Sequence, residues 1–214
     1  MANVKGSTYS SPLRAQQAAA TRRAVLDAAR KLFVSQGYGA TTIEQIAGEA
    51  GVSKPTVFTA VGNKQAVLSA VRDVAMAGDD QKVAVADRPL AQLIRAEPDP
   101  YRAVELLAEL FTGIGSRYAE IDAVLRGAAH GGDLELRRLW QTSEDQRLFG
   151  ARMWVTALAG KGPLRLDVDS AVDVLWLYMA PDQYHRLVHA RGWSAQRFQQ
   201  WMAETLCRIL LPER

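Results

Sequence analysis

Residues 41–64, TTIEQIAGEAGVSKPTVFTAVGNK, constrain the fold more than any other stretch of this chain. Thr42 and Gln45 form the pattern of a capping box, in which each side chain accepts a hydrogen bond from the other residue's backbone N–H. Gly51 comes where that helix must end, because a residue without a Cβ enters the left-handed conformation cheaply. Ser53, with a proline two residues later, is typical of a second helix start. The stretch therefore predicts two short helices joined by a tight turn.

The residues before this stretch predict a third helix. Two short helices cannot bury their apolar faces alone, and residues 21–37 supply an apolar row that includes Phe33. Thr21 is the predicted cap of this helix and Gly37 its predicted end. A turn this short makes the two short helices cross steeply, which is the helix-turn-helix geometry used to place a helix in a groove of DNA.

The run from Thr21 to about Leu68 resembles the N-terminal DNA-binding domain of the TetR family of bacterial transcriptional regulators. The resemblance is carried by ARKLFVSQGYGATTIEQIAGEAGVSKPTVFTAVGNKQAVL: a helix ending in Gly, a nearby aromatic residue, TT-x-x-x-IA, GVS, a recognition helix and a Lys that opens a fourth helix. The rest of the chain resembles the family in layout, and GWS before an amphipathic last helix also recurs there. The resemblance implies a cytoplasmic, homodimeric, ligand-responsive repressor that binds a pseudo-palindromic operator.

The resemblance also implies which residues contact DNA. Thr42 and Lys64 are expected at phosphates, and the first residues of the recognition helix are expected in the major groove. Two departures, Phe58 where the family usually has Tyr and Ala60-Val61 where it often has His-Phe, weaken this expectation. They favour an alternative: an all-helical small-molecule binding or sequestering protein with a vestigial DNA-binding head. The predicted DNA-contacting residues are Arg22, Arg23, Thr42, Ser53, Lys54, Thr56, Phe58, Thr59 and Lys64.

Charge is unevenly distributed along the chain. The net charge of the whole sequence is +3, whereas residues 1–64 carry eight basic and three acidic side chains, a net of +5. The remaining residues are therefore slightly acidic. A basic N-terminal unit on a slightly acidic body is the distribution expected of a protein with a DNA-binding head.

The rest of the chain predicts further helices and no strand, so the expected fold class is all-α. Pro181 falls inside the helical pattern of residues 168–191 and predicts a kink or restart there. The other predicted helices are 64–78, a short one near 89–95, 99–117, 121–129, 133–159 and a last one capped by Ser194. The predicted domains are a flexible basic arm (1–18), the DNA-binding domain (19–64, with the linking helix 64–78) and an effector-binding and dimerisation domain (79–214).

The sequence lacks the short motifs of common enzymes, so we expect neither catalysis nor a cofactor. Asp182, His185 and His189 share a helix face, but a polar surface stripe is the favoured interpretation, and no metal site is predicted. A metalloenzyme built on the two histidines is kept as a third hypothesis. No apolar run approaches the ~20 residues of a membrane span, and no export signal is evident, so a cytoplasmic protein without membrane contact is expected.

The body of the chain is rich in aromatic residues, including all five tryptophans. Such residues at helical spacing fill cores, but cavities between bundle helices also bind small molecules. The predicted partners are double-stranded DNA, a small apolar or aromatic effector, and a second copy of the chain that packs through the amphipathic residues 169–210. The candidate pocket residues are Phe111, Trp140, Met153, Trp154, Trp176 and Met179.

Overall fold

The computed structural model describes residues 12–81 and 83–213, and these residues form helices and loops without a strand. The all-α prediction is confirmed. A 3-10 turn at Val85–Asp87 and a π-helical segment at His185–Ala190 accompany the α-helices. The α-helices are α1 (Pro12–Ala40), α2 (Ile43–Glu49), α3 (Lys54–Ala60), α4 (Lys64–Ala77), α5 (Pro89–Ala96), α6 (Pro100–His130), α7 (Leu134–Ala159), α8 (Val168–Tyr178), α9 (Pro181–Tyr184) and α10 (Ala195–Leu210).

Packing divides the chain into two compact units whose boundary lies inside α4, between Val71 and Arg72. The sequence placed the end of the DNA-binding domain at residue 64. The first unit extends further because the apolar residues that open α4, Val67 and Leu68, are completely buried.

The first unit is built on a small core contributed by three helices. Ala29 and Phe33 of α1, Ile46 of α2 and Val57 of α3 have no exposed surface. Helices α2 and α3 have seven residues each, too few to be stable in water on their own. Their shared contact with α1 therefore supplies the stability that their own length does not.

Helix α1 begins earlier than the sequence predicted. It starts at Pro12, so Thr21 lies inside the helix and does not cap it, and residues 12–18 are helical, not a flexible arm. Residues 13–20, LRAQQAAA, are strong helix formers, which explains the extension. Residues 1–11 of the predicted arm lie outside the described residues. The predicted end at Gly37 is confirmed as a break, with φ of 82°, before a last turn to Ala40.

The second unit is organised around α6, a helix of 31 residues that contacts α5, α7, α9 and α10. Leu107, Ile121 and Leu125 along this helix are fully buried. The sequence predicted two helices here, 99–117 and 121–129, and that prediction was wrong. The glycines of this segment do not break the helix because neighbouring helices cover it on several sides, and tertiary packing overrides local propensity.

The predicted interruption at Pro181 is confirmed. Helix α8 ends at Tyr178, and α9 begins at Pro181 with Asp182 in its first turn. The π-helical segment follows, a wider turn in which Arg191 N donates to Arg186 O at 3.1 Å. Ser194 then caps α10, because its hydroxyl accepts a hydrogen bond from Arg197 N at 3.1 Å.

Gly115 of α6 gives a stability test of this packing. A Cβ added at position 115 would lie 2.8 Å from the Cβ, Cγ and Cδ2 atoms of Tyr184. Because overpacking of this kind costs about 1–3 kcal/mol, we expect Gly115→Ala to lower the free energy of unfolding by about 1–2 kcal/mol, despite alanine's better helix propensity. Urea denaturation measures the change.

Gly113→Ala is the matched control for this substitution. The nearest atom to a Cβ at position 113 is Arg117 Nη1 at 3.6 Å, an ordinary contact with a flexible side chain. The control should therefore be neutral or stabilising by up to ~1 kcal/mol. Equal losses in the two variants would contradict the role given to the Tyr184 contact.

Candidate nucleic-acid interface and ligand cavity

The start of α2 is fixed by the predicted capping box. Thr42 Oγ1 accepts from Gln45 N at 3.2 Å, and Gln45 Oε1 accepts from Thr42 N at 2.8 Å. Gln36 of α1 donates to the same Gln45 oxygen at 3.1 Å, which ties the cap to the longer helix. The backbone N–H of Thr42 is thus engaged by Gln45, and Thr42 itself is exposed at the start of α2.

The turn and the start of α3 also follow the predicted pattern. Gly51 has φ of 67°, the left-handed conformation that lets the chain turn after α2. Ser53 Oγ accepts from Thr56 N at 3.3 Å and shares a hydrogen bond of 2.7 Å with Thr56 Oγ1. Thr59 Oγ1 donates to Pro55 O at 3.0 Å. The polar groups of α3 are therefore held in fixed positions at the surface.

One face of α3 is turned to solvent. Val57 is fully buried, whereas Lys54, Phe58 and Thr59 are exposed, and Phe58 has 47% of its surface exposed. A single exposed apolar ring is common on protein surfaces, so the exposure of Phe58 alone does not identify a partner. The exposed face is the one that the sequence assigned to the major groove.

Lys54, the only basic residue of α3, forms an ion pair with Glu44 of α2. The hydrogen bond from Lys54 lowers the pKa of Glu44 below its ordinary value. Both side chains are at least half exposed, so the pair adds little stability and can exchange for a nucleic-acid contact. Glu44 nonetheless places a negative charge beside the cation expected to read a base.

Two other predicted DNA-contacting cations brace the first unit. Arg22 Nη1 donates to Ala60 O at 3.1 Å, at the C-terminal end of α3. Lys64 Nζ donates to Thr41 O at 2.7 Å and lies 4.2 Å from the centroid of the Tyr38 ring. Sequence reasoning missed these roles, although the preference of cations for carbonyls at helix ends was an available signal. Arg23 is exposed.

The second unit contains a cavity of about 400 Å³. Helices α6, α7, α9 and α10 contribute most of its wall, and Arg72 and Met76 of α4 also line it. Its volume lies at the lower end of the range typical of small-molecule sites. Its apolar wall includes Leu110, Phe111, Ile114, Phe149, Met153, Trp154, Tyr178, Met179, Tyr184, Phe198 and Met202.

The structure brings together four of the six residues that the sequence assigned to a pocket, Phe111, Met153, Trp154 and Met179. The other two lie elsewhere. The Trp140 ring packs 5.5 Å from the His130 ring, and the Trp176 ring lies 4.9 Å from the guanidinium of Arg147. A stripe of large residues does not by itself distinguish the cavity wall from the other faces of a helix, and this explains the difference.

One end of the cavity is polar, and the sequence reasoning missed it. Arg72 donates to Asp73 Oδ1 at 2.9 Å and to Gln146 Oε1, while Arg147 pairs with Glu144 and donates to Trp176 O at 3.3 Å. The residues of this end are Arg72, Tyr118, Asp122, Ser143, Glu144, Gln146 and Arg147. The one available signal was a carboxylate, Asp122, next to an apolar position of a helix expected to be buried.

Burial sets the protonation of this polar end. Asp122 is only 5% exposed, and desolvation raises its pKa, against the attraction of the Arg126 guanidinium. Desolvation also raises the pKa of Tyr118, which is 3% exposed. Both groups are therefore biased toward their neutral forms, in which each carries a proton that it can donate.

The three residues considered for a metal site make ion pairs or ring contacts with other side chains. Asp182 accepts hydrogen bonds from Arg126 Nη2 at 3.2 Å and from Arg186 Nε at 2.7 Å. The rings of His185 and His189 lie 5.6 Å apart and pack against each other. Within residues 12–81 and 83–213, no cluster of three His, Cys, Asp or Glu residues is arranged to hold a metal ion.

No helix in the described part of the chain is both long enough and apolar enough to cross a membrane.

Comparison of sequences places the N-terminal part of the chain among known regulators. The sequence model of bacterial regulatory proteins of the tetR family matches residues 25–71. The chain is 45% identical over 51 residues to the uncharacterized HTH-type transcriptional regulator YvkB of Bacillus subtilis, and 42% identical over 57 residues to the HTH-type transcriptional regulator SrpR of Pseudomonas putida. The two matches cover 24% and 27% of this chain, respectively. In each case the match spans 27% of the relative, or about a quarter of its length.

Comparison of structures extends the likeness to nearly the whole chain. A transcriptional regulator from Saccharomonospora viridis in complex with choline superposes with a TM-score of 0.68 at 19% identity, over 90% of this chain and 98% of that one. FadR from Bacillus subtilis in complex with stearoyl-CoA superposes with a TM-score of 0.66 at 18% identity, over 86% and 96% of the two chains. At these identities the likeness shows a shared fold.

Asp122 makes the stability of the second unit depend on pH. Because the folded-state pKa of Asp122 is raised, its ionisation costs stability as pH rises above the unfolded pKa of about 3.8. We therefore expect Asp122→Asn to raise the free energy of unfolding at pH 8, with a gain that shrinks as pH falls toward 4. Urea denaturation at a series of pH values measures this dependence.

Asp167→Asn serves as the control of opposite sign. Hydrogen bonds from Ser170 lower the pKa of Asp167, so this carboxylate contributes stability above its unfolded pKa and loses it in acid. Its substitution should destabilise at pH 8 more than at pH 4. The same trend in both variants would mean that burial does not govern Asp122.

Proposed function

This chain belongs to the TetR family of bacterial regulatory proteins, and we propose that it is a sequence-specific DNA-binding transcriptional regulator, most simply a ligand-responsive repressor. It acts by binding and not by catalysis, and its site of action is DNA in the bacterial cytoplasm. The observation that carries the proposal is the exposed face of α3, fixed by two capped helix starts in a unit of net positive charge.

The proposed active species is a homodimer that packs through residues 169–210. One small unit contacting one half-site gains few base contacts, whereas two units related by a two-fold axis contact two half-sites about 34–36 Å apart. Two heads that bind together therefore distinguish the operator from other DNA sequences by roughly the square of the factor that one head achieves. The operator is then a pseudo-palindrome, with its half-sites in successive major grooves.

The proposed response to a small molecule is a shift between populations of the dimer. The dimer samples head spacings that match successive major grooves and spacings that do not. An effector that binds the mismatched state more tightly lowers the affinity for DNA. The loss is set by the ratio of the effector's affinities for the two states. The apolar cavity supports this proposal, and so do the choline and stearoyl-CoA in the complexes of two similar structures. Arg72 and Met76 place α4 in the wall of the cavity, and α4 begins in the first unit.

A mobility-shift assay tests the proposed function directly. The purified protein is mixed with DNA from upstream of its own gene and, separately, with a random-sequence pool taken through rounds of selection at low salt. The expected result is a salt-sensitive shift and an enriched motif with two-fold symmetry. If neither DNA yields a footprint, the chain is not a DNA-binding regulator.

The second candidate is the small-molecule binding or sequestering protein with a vestigial head. The apolar Phe58 ring at the surface of α3 and the pairing of Lys54 with Glu44 favour it, because both reduce the hydrogen bonds that α3 offers to DNA. An intact dimer that binds ligand but shows no salt-sensitive DNA binding would select this candidate.

The Lys54–Glu44 pair predicts opposite effects of two substitutions on DNA binding. Lys54→Ala should weaken operator binding by about 1–3 kcal/mol and relax the preference at one base position, since it removes the only cation of α3. Glu44→Gln should strengthen binding several-fold by removing a competing negative charge. Fluorescence anisotropy with a labelled operator measures both affinities.

Glu49→Gln is the matched control on the same helix. Glu49 pairs with Lys31 of α1 at 2.5 Å, so its substitution changes the net charge equally without releasing Lys54. A gain in affinity as large as that of Glu44→Gln would attribute the effect to net charge, and the assignment of Lys54 to a base would be wrong.

Leu177 of α8 is expected to lie in the interface of the proposed dimer. It is 55% exposed within the segment assigned to dimerisation, and an apolar side chain in that position gains by burial against a second copy. We expect Leu177→Glu to convert the dimer to monomer at micromolar concentration, measured by sedimentation equilibrium. Leu93→Glu on α5, where Leu93 is 52% exposed outside that segment, should leave the dimer intact. Dissociation by both variants, or by neither, would contradict the assigned interface.

A further inference from the structure

The polar end of the cavity contains hydrogen-bond donors that have no protein partner. Tyr118 Oη and Arg72 Nε are both buried, and neither makes a hydrogen bond of good geometry to another described residue. The Tyr118 hydroxyl is nevertheless close enough to Ser143, Arg72 and Asp122 for these groups to affect the pKa of Tyr118 and of Asp122. The two residues are 3% and 8% exposed, and both line the cavity. Arg147 also lines the cavity, and its buried Nε likewise has no hydrogen-bond partner among the described residues. A buried donor without a partner is costly, so these groups are expected to meet an acceptor that enters the cavity.

The carboxylates at this end do not supply that acceptor. Glu144 is paired with Arg147. Burial raises the pKa of Asp122, which disfavours its anionic form, and the Tyr118 hydroxyl opposes this shift only as a minor contribution. Arginine stays charged at any pH that a protein experiences. Each guanidinium is also paired with a carboxylate, Arg72 with Asp73 and Arg147 with Glu144. The groups left for a ligand, Arg72 Nε, Arg147 Nε and Tyr118 Oη, are all donors, and an anionic acceptor is the ligand group that fits them.

The rest of the cavity selects an apolar body. Phe111, Met153, Trp154 and Met179 line it together with further aromatic and aliphatic side chains. At roughly 30 Å³ for a group of the size of a water molecule, a cavity of about 400 Å³ admits a molecule of on the order of ten to twenty non-hydrogen atoms. The flexible side chains of the methionines that line the cavity can adapt to straight or branched ligand chains.

We propose that the cavity binds an amphipathic monocarboxylate, with the carboxylate at Arg72 and Tyr118 and the apolar body along Phe111 and Trp154. The inference rests on the proposed ligand-responsive function and names the chemical class of the effector. The two oxygens of a carboxylate match the guanidinium N–H and the phenol O–H. A phosphate monoester fits less well, because its additional charge and oxygen would face the carboxyl groups of Asp122 and Glu144.

A cationic ligand is the opposing possibility, and it is disfavoured by the same residues. The aromatic walls and Asp122 are groups that also bind quaternary ammonium ions. Such an ion has no acceptor for the unpaired donors of Tyr118 and Arg72, and it would lie beside a guanidinium. Head-group chemistry therefore separates the two possibilities in one experiment.

The test compares three head groups on one tail. Decanoate, decanol and decyltrimethylammonium are titrated into the full-length protein, with quenching of tryptophan fluorescence at Trp154 and calorimetry as readouts. Straight-chain acids of about eight to fourteen carbons extend the series in case the tail length is misjudged. Decanoate, or the best acid of the series, should bind about tenfold or more tightly than its alcohol and more tightly than the ammonium compound. Tighter binding of the ammonium compound, equal binding of acid and alcohol, or no binding by any acid would overturn the inference.

Substitution of Tyr118 locates the carboxylate. Tyr118→Phe removes the unpaired hydroxyl and keeps the ring, so it should reduce the preference for acid over alcohol about tenfold while leaving the affinity for the alcohol unchanged. Tyr178→Phe is the matched control, because Tyr178 lines the same cavity but its hydroxyl is not among the buried groups without a partner. A loss of affinity for acid and alcohol alike would indicate a structural effect and contradict the proposed contact.

The same samples distinguish this inference from the proposed function. Operator binding is measured with and without decanoate by the mobility-shift assay. Intact DNA binding without any preference for the acid would refute the carboxylate inference and leave the regulator in place. Tight, selective binding of the acid by a protein that binds no DNA would refute the regulator and leave the carboxylate site.

Discussion

The first unit depends on how the ends of its short helices are satisfied. Helices α2 and α3 are only seven residues long, so most of their backbone N–H and C=O groups lie in the first or last turn. Thr42 with Gln45, Ser53 with Thr56, and the contact of Arg22 with Ala60 O provide partners for these groups. Because the caps fix where each helix begins, they also fix which side of α3 faces away from the core.

The basic residues of the first unit make contacts within the unit and are also proposed to contact DNA. The net charge of the unit does not distinguish these two roles. Arg22 and Lys64 donate to backbone carbonyls at helix ends, and Lys54 is paired with Glu44. Each of these cations also lies in the part of the chain proposed to meet phosphates. A nucleic acid that binds here therefore exchanges contacts with cations that are already ordered, and little side-chain entropy is lost on binding.

The sequence predicted the features that local chemistry controls. The capping box at Thr42, the left-handed Gly51 and the restart at Pro181 are decided by neighbouring residues, and each is present in the structure. Features decided by tertiary packing were missed. The sequence predicted two helices, 99–117 and 121–129, where the structure has the continuous helix α6, and the aromatic pattern did not separate Trp154 in the cavity wall from Trp140 outside it. The polar end of the cavity joins residues from three separate helices, and Asp122 in a predicted helix was the only local sign of it.

The close contact between Gly115 and Tyr184 limits how this cavity can change in evolution. A side chain at position 115 would collide with the tyrosine ring, so a larger residue there requires a compensating change at Tyr184. The cavity is also lined by Met153 and Met179, whose unbranched side chains adapt to new shapes at small cost. A change in what this cavity accepts should therefore come from substitutions in α7 and at the end of α8, while position 115 stays glycine.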